Sequence, residues 1–260
     1  MPIEHAADSV EKRLSSRERD EPEAVLRLRS EAELLARLST LRVTPRLLAR
    51  GEDDRGPWHR IEPIPLPTLG DHVAKAGGAL DSQWIERAVL PLFGALAKLH
   101  EATDDSGPLL VVHADLSPSN IAIDESASSC VLLDLDLAWW RDGPPRDGAF
   151  RGTIAYVAPE VARGERPTQK SDLFSLATSL LHAVTGRAPR SGPSFAALLA
   201  MAAEAPVLDA ESATLASRGP GHAAFVACLA HDPAQRPESA RAVLAALSKR
   251  GARSEVGDTR

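Results

Sequence analysis

A chain of 260 residues with 43% apolar and 25% charged side chains can bury a sizeable core and is too polar to be a membrane protein. Its net charge of −6, with few aromatics and none interleaved with basic clusters, argues against nucleic acid as a partner. No apolar run reaches the roughly 18 residues of a spanning helix, and the first residues, MPIEHAADSVEKRL, hold no secretory apolar stretch, so a cytoplasmic protein with no membrane partner is expected.

In Pro22–Leu41 the apolar residues Val25, Leu28, Ala32, Leu35 and Leu38 recur at three- and four-residue steps, which predicts an amphipathic helix. Short runs at Arg46–Ala49 and Trp58–Ile64 read as strands around the turn-forming EDDRG. Each proline in IEPIPLP lacks a ladder donor, so a lobe boundary is expected at Pro63–Pro67. Helices are then expected at 69–76, 81–101, 171–185, 195–203, 222–230 and 239–249, with residues 250–260 as a disordered tail. The stretch 102–170 holds two short apolar strands and many polar loop residues, the usual setting of function. Cys130 and Cys228, far apart and in apolar surroundings, read as buried free thiols.

The chemistry is concentrated in that stretch. His113-Ala-Asp115-Leu-Ser-Pro-Ser-Asn120 follows the apolar Leu109–Val112, and fourteen residues after Asn120 the run Val131–Leu133 delivers Asp134-Leu-Asp136. A carboxylate on a loop, a carboxamide five residues on and a second carboxylate after a hairpin suit phosphoryl transfer from a metal-bound nucleotide. One carboxylate orients the acceptor hydroxyl and takes its proton, while the amide and the other carboxylate hold Mg²⁺. Taken alone, HADLSPSN is equally an ordinary polar turn.

These residues do not stand alone. HADLSPSN resembles the catalytic loop of the protein kinase family, Asp134-Leu-Asp136 its metal motif, and Gly152-Thr-Ile-Ala-Tyr-Val-Ala-Pro-Glu160 its substrate loop. DLFSLA from Asp172 resembles the start of the family's long central helix, and DPAQRP from Asp232 the segment before its last helix. The resemblance implies an α+β, two-lobed kinase fold with residues 1–63 as a reduced N-terminal β lobe, 64–67 as hinge and 68–249 as a helical C-terminal lobe. It implies ATP and Mg²⁺ as cofactors, and a protein substrate presented to the 152–160 loop. Asp115 would be the base, Asn120 and Asp134 the metal ligands, and Thr153 a hydrogen-bonding partner near Asp115. Lys12 precedes Glu31 by nineteen residues, the separation the family leads one to expect for the phosphate-gripping lysine and its glutamate. A solvated lysine beside a charged helix face is the alternative for that pair. Val10, Glu62, Ile64 and Ala122 would line the adenine pocket. Glu160 and Arg236 would form a buried ion pair, with Arg190 as a surface arginine for comparison.

Three departures stand beside the resemblance. The first glycine is Gly51, so no glycine-rich loop precedes Lys12 in this sequence. Ser117 stands where Ser/Thr kinases place a lysine, which removes a positive charge from the transferred phosphoryl group. Asp136 replaces a glycine, as in small-molecule phosphotransferases of the aminoglycoside and choline kinase type. A Ser/Thr protein kinase is therefore expected, with a pseudokinase binding module and a small-molecule phosphotransferase as alternatives. Ala114 before Asp115, and the absence of Ser, Thr and Tyr from residues 135–152, imply order independent of phosphorylation, supplied by Trp139, Trp140, Phe150 and Pro144-Pro145.

Overall fold

The computed structural model describes residues 3–6, 8–145, 151–207, 214, 215 and 217–257, and for 3–6 and 249–257 the backbone alone. Phe150 lies outside these residues. The chain begins with an antiparallel hairpin, β1 (Ile3–Ala6) and β2 (Ser9–Arg13), and β2 also pairs with β4 (Gly56–Ile61), which pairs in turn with β3 (Leu47–Asp53). The order β1-β2-β4-β3 gives one four-stranded sheet. Strand β1 escapes sequence reading because it has four residues and the sequence Ala-Asp that separates it from β2 carries neither glycine nor proline.

Helix α1 (Pro22–Arg37) packs on this sheet. Proline at its first position suits the fixed backbone angle, and the expected apolar stripe turns Leu28, Ala32 and Leu35 inward together with Glu31. It stops at Arg37 rather than Leu41, because Ser39 and Thr40 bond locally in turns more readily than in helix interiors.

The helical half is built around α3 (Ser82–His100), whose Ile85, Val89, Leu92, Phe93 and Leu96 are fully buried. Against it lie α5 (Gln169–Thr185), α7 (Pro220–Ala227) and α8 (Ala240–Gly257). Helix α2 (Leu69–Ala76) opens with a reciprocal Thr68–Asp71 cap and closes on Gly77 at φ 69°. Two-residue strands β5 (Thr103–Asp104) and β6 (Gly107–Pro108) follow α3, then the hairpin β7 (Ile121–Ile123) and β8 (Cys130–Leu132), the two apolar strands expected in this region. The short α4 (Pro159–Ala162) and α6 (Phe195–Glu204) complete the fold. Both cysteines are free and buried. Among the described residues no helix is long and apolar enough to cross a membrane.

Helix α8 runs to Gly257, so residues 250–257, expected as tail, are helical. Ala252, Arg253 and Glu255 favour helix, and one interior glycine, Gly251, costs only about 1 kcal/mol.

The pair expected between distant motifs is present. Arg236 donates from Nη1 and Nη2 to Glu160 Oε1 and Oε2 at 2.7 and 2.8 Å, and Ser171 Oγ donates to the same carboxylate at 2.7 Å. Arg190, by contrast, is not on the surface. Its guanidinium is buried over the Phe174 ring and donates to the carbonyl oxygens of Ala155 and Val157 at 3.3 and 2.7 Å. Burial, with no carboxylate partner among the described residues, pulls the pKa of Arg190 down to about 10.

Candidate active site

The segments that carry Asp115, Asn120 and Asp134 are held by main-chain bonds across the fold. Leu132 N donates to Val43 O, between α1 and β3, Leu133 N to Asn120 O, and Ile123 N to Pro67 O, so the β7–β8 hairpin ties Asn120 and Asp134 to the segments that follow α1 and β4. Two residues here have left-handed backbones: Ala114 at φ 65° and Asp134 at φ 61°. For non-glycine residues such conformations cost on the order of 1–3 kcal/mol and need support. For Ala114 the support comes from buried Asp172, which accepts Ala114 N and His113 N at 2.9 and 2.7 Å and bonds His100 Nε2 at 2.9 Å.

The structure brings Lys12, Glu31 and Asp134 together. Lys12 Nζ donates to Glu31 Oε1 and to Asp134 Oδ1, both at 2.6 Å, and Leu135 N adds a bond to Glu31 Oε1 at 3.2 Å. Burial opposes the charge on Lys12, yet the two carboxylates hold its pKa above the ordinary value. Burial pushes Glu31 up against the pull of Lys12. Asp134 also meets a burial penalty, which Lys12 overcomes, holding it low.

Asp115 lies beside this cluster on its own scaffold. Asn120 Nδ2 donates to its carbonyl and to its Oδ2 at 2.8 and 3.0 Å, and Thr153 N donates to its Oδ1 at 2.8 Å. Burial raises its pKa, while the bonds from Thr153 counter that shift. Gly152 is left-handed at φ 112°, and a Cβ there would stand 3.1 Å from Asp115 Oδ1, so the loop approaches the carboxylate as closely as it does because this residue is glycine.

The remaining expected residues lie on β2, after β4, on β7 and in the loops beside it. Val10 is half-buried on β2 opposite Ile61, Glu62 and Ile64 follow β4, and Ala122 is buried on β7 where it bridges Thr68. Glu62 N donates to Arg46 O at 2.9 Å. Ser117 is buried with its hydroxyl 2.9 Å from that of Ser119. Asp136 faces Arg27 of α1 at 3.8 Å, and burial beside Asp134 and Glu31 pushes it up to about 7. A concavity of about 710 Å³ lies elsewhere, between α1, β3, β4 and Trp140, and none of the expected site residues lines it.

His59 was not expected at the site. It is fully buried on β4 with Nε2 3.5 Å from Glu31 Oε2. No sequence motif marks it; its place follows from strand register alone.

The donor set suits a hard cation. Asn120 spends its amide nitrogen on Asp115, which leaves the carboxamide oxygen as a ligand, and the Asp134 side chain is 40% exposed. A carboxylate oxygen and an amide oxygen are donors for Mg²⁺ that also binds phosphates. The lysine ammonium has a third proton beyond its two carboxylate bonds.

Comparison with known proteins places the chain in a family. The sequence pattern of the protein kinase domain matches residues 6–246. Over 237 residues the chain is 29% identical to serine/threonine-protein kinase PknL of Mycobacterium tuberculosis, covering 90% of this chain and 57% of that protein. It is 30% identical over 135 residues to mitogen-activated protein kinase kinase kinase 18 of Arabidopsis thaliana, covering 52% and 38%. A probable serine/threonine-protein kinase PknB of Bifidobacterium longum is 32% identical over 152 residues, covering 57% and 21%. The chain thus spans less than two thirds of the length of these relatives.

Proposed function

The chain belongs to the protein kinase family, and from that premise we propose that it is a Ser/Thr protein kinase using ATP and Mg²⁺. The observation that carries this reading is the Lys12 ammonium shared at 2.6 Å between Glu31 and Asp134. Residues 1–63 form the reduced N-terminal lobe, 64–67 the hinge and the chain from 68 to the end of α8 the C-terminal lobe. Val10 and Ala122 would hold the adenine, and the backbone groups of Glu62 and Ile64 would meet its polar edge. Lys12 grips the phosphates, and Asn120 and Asp134 hold Mg²⁺, which neutralises phosphate charge.

A protein substrate lies along residues 152–160. Asp115, braced by Asn120 and Thr153, orients its Ser or Thr hydroxyl and accepts the proton as the oxygen bonds to the γ-phosphorus. The bond from that phosphorus to the bridging oxygen breaks, and ADP leaves. The two free buried thiols support a reducing compartment, the cytoplasm.

A second reading, a binding module that keeps the fold without turnover, is supported by Ser117 at the lysine position. The third, a small-molecule phosphotransferase, rests on Asp136, whose approach to Arg27 supports a role in tying α1 to the metal motif. Incubation with labelled ATP, Mg²⁺ and a mixture of protein acceptors, followed by phosphoamino-acid analysis, separates the three. Phosphoserine or phosphothreonine that disappears in Asp115→Asn is expected. Nucleotide binding without transfer would establish the binding module, and label confined to small hydroxylated molecules the third reading.

A further inference from the structure

Lys12 and His59 are cross-strand partners in the β2–β4 register, so both side chains stand on one face of the sheet, toward α1. There they meet the same carboxylate from two sides. Glu31 Oε1 accepts from Lys12 Nζ and Leu135 N, whereas Oε2 has no hydrogen-bond partner among the described residues. Neither ring nitrogen of His59 has one either, and His59 Nε2 lies 3.5 Å from Glu31 Oε2, with the two side chains 0% and 2% exposed. An unpaired buried acceptor and an unpaired buried donor are each costly, and here each is the other's nearest remedy.

Resting on the kinase reading above, we infer that His59 is a positioning residue of the nucleotide site: its Nε2–H donates to Glu31 Oε2 and fixes the carboxylate rotation that presents Oε1 to Lys12. The bond closes on a movement of about half an ångström, toward the usual N–H···O separation of about 2.9–3.0 Å. The ring does this uncharged. Burial and the Lys12 ammonium hold His59 down to about 4, with Asp134 opposing them, so at neutral pH one nitrogen donates. A neutral donor orients Glu31 without competing for its charge, and Lys12 keeps the glutamate as its own counter-ion. Titration of the ring would place a second cation against Glu31, facing Lys12 on β2 and Asp134 beyond β8.

The test uses the whole chain with ¹⁵N-labelled histidine. Long-range ¹H–¹⁵N spectra are expected to show His59 as the neutral Nε2–H tautomer at pH 7, with its signals shifted by Glu31→Gln. In kinetics, His59→Leu is expected to raise KM for ATP or lower kcat/KM by about tenfold, and His59→Gln, whose amide keeps a donor, to recover most of that loss. An Nδ1–H tautomer, a charged ring at pH 7, or a His59→Leu protein with parental ATP kinetics would overturn the inference. A chain with no phosphoryl transfer would remove the kinase reading, while the tautomer and its response to Glu31→Gln would still decide the bond.

Discussion

Arg236 holds Glu160 by two parallel hydrogen bonds at 2.7 and 2.8 Å, although seventy-six residues separate them. The guanidinium also donates to the carbonyl oxygens of Ala230, Lys170 and His231 and lies 4.8 Å over the Phe174 ring, so α4 and the segment before α8 are fastened at one point. Removing one partner of such a buried pair strands the other charge and costs roughly 3–5 kcal/mol. Arg236→Ala should therefore lower the melting temperature far more than Arg29→Ala, whose pair with Glu52 is half exposed and worth at most about 1 kcal/mol. Equal melting temperatures for the two variants would refute this.

The same pair sets an acid limb. Burial acts to raise the Glu160 pKa, but the bonds from Arg236 and Ser171 outweigh it and hold it below the ordinary 4.5. A carboxylate depressed on folding contributes stability that is present above its unfolded pKa and lost as pH falls through the folded one. Urea midpoints measured between pH 6 and pH 3 should fall less steeply in Glu160→Gln than in the parent, from a lower starting point. Parallel curves would contradict the assignment.

The loop after the metal motif is tied to α1 by charges already in the chain. Arg27 faces Asp136 at 3.8 Å, Arg151 pairs with Glu23, and Trp140 Nε1 donates to Ser30 Oγ at 3.0 Å. No Ser, Thr or Tyr occurs between Asp134 and Thr153. Phosphatase treatment followed by phosphatase removal should leave the initial rate unchanged. A large loss that maps by mass spectrometry to residues 135–153 would show that a phosphate supplies the order.

Gly152→Ala tests the closeness of the substrate loop to Asp115. The positive φ penalises any side chain, typically by more than the roughly 0.4–1 kcal/mol that glycine removal returns through the unfolded state, and the new Cβ presses on Asp115 Oδ1. The expected outcome is a fall in kcat of several-fold or more, together with a modest fall in melting temperature from the backbone strain, which is paid even though Gly152 is exposed. A parental kcat would show that the approach is incidental.

The segments proposed as catalytic loop, metal motif and substrate loop stand out in the sequence because phosphoryl transfer would fix residue type and spacing along the chain. Asn120 and Thr153 bond Asp115, and Lys12 meets Glu31 across nineteen residues and Asp134 beside it. What depends on register or on distant packing was not legible. His59 reads as an ordinary strand residue until the β2–β4 pairing sets it beside Lys12. Arg190 lies in the polar run GRAPRSGPS, and only its docking on the Ala155 and Val157 carbonyls buries it.

The central claim is that Lys12, Asn120 and Asp134 form a site for ATP and Mg²⁺, and calorimetric titration of ATP with and without Mg²⁺ tests it most directly. The parent should bind ATP with an affinity that Mg²⁺ strengthens. In Asp134→Asn that strengthening should vanish, and affinity for the Mg²⁺ complex should fall by about tenfold or more, about 1.4 kcal/mol of binding free energy. Equal, Mg²⁺-independent affinities in parent and variant would contradict the account.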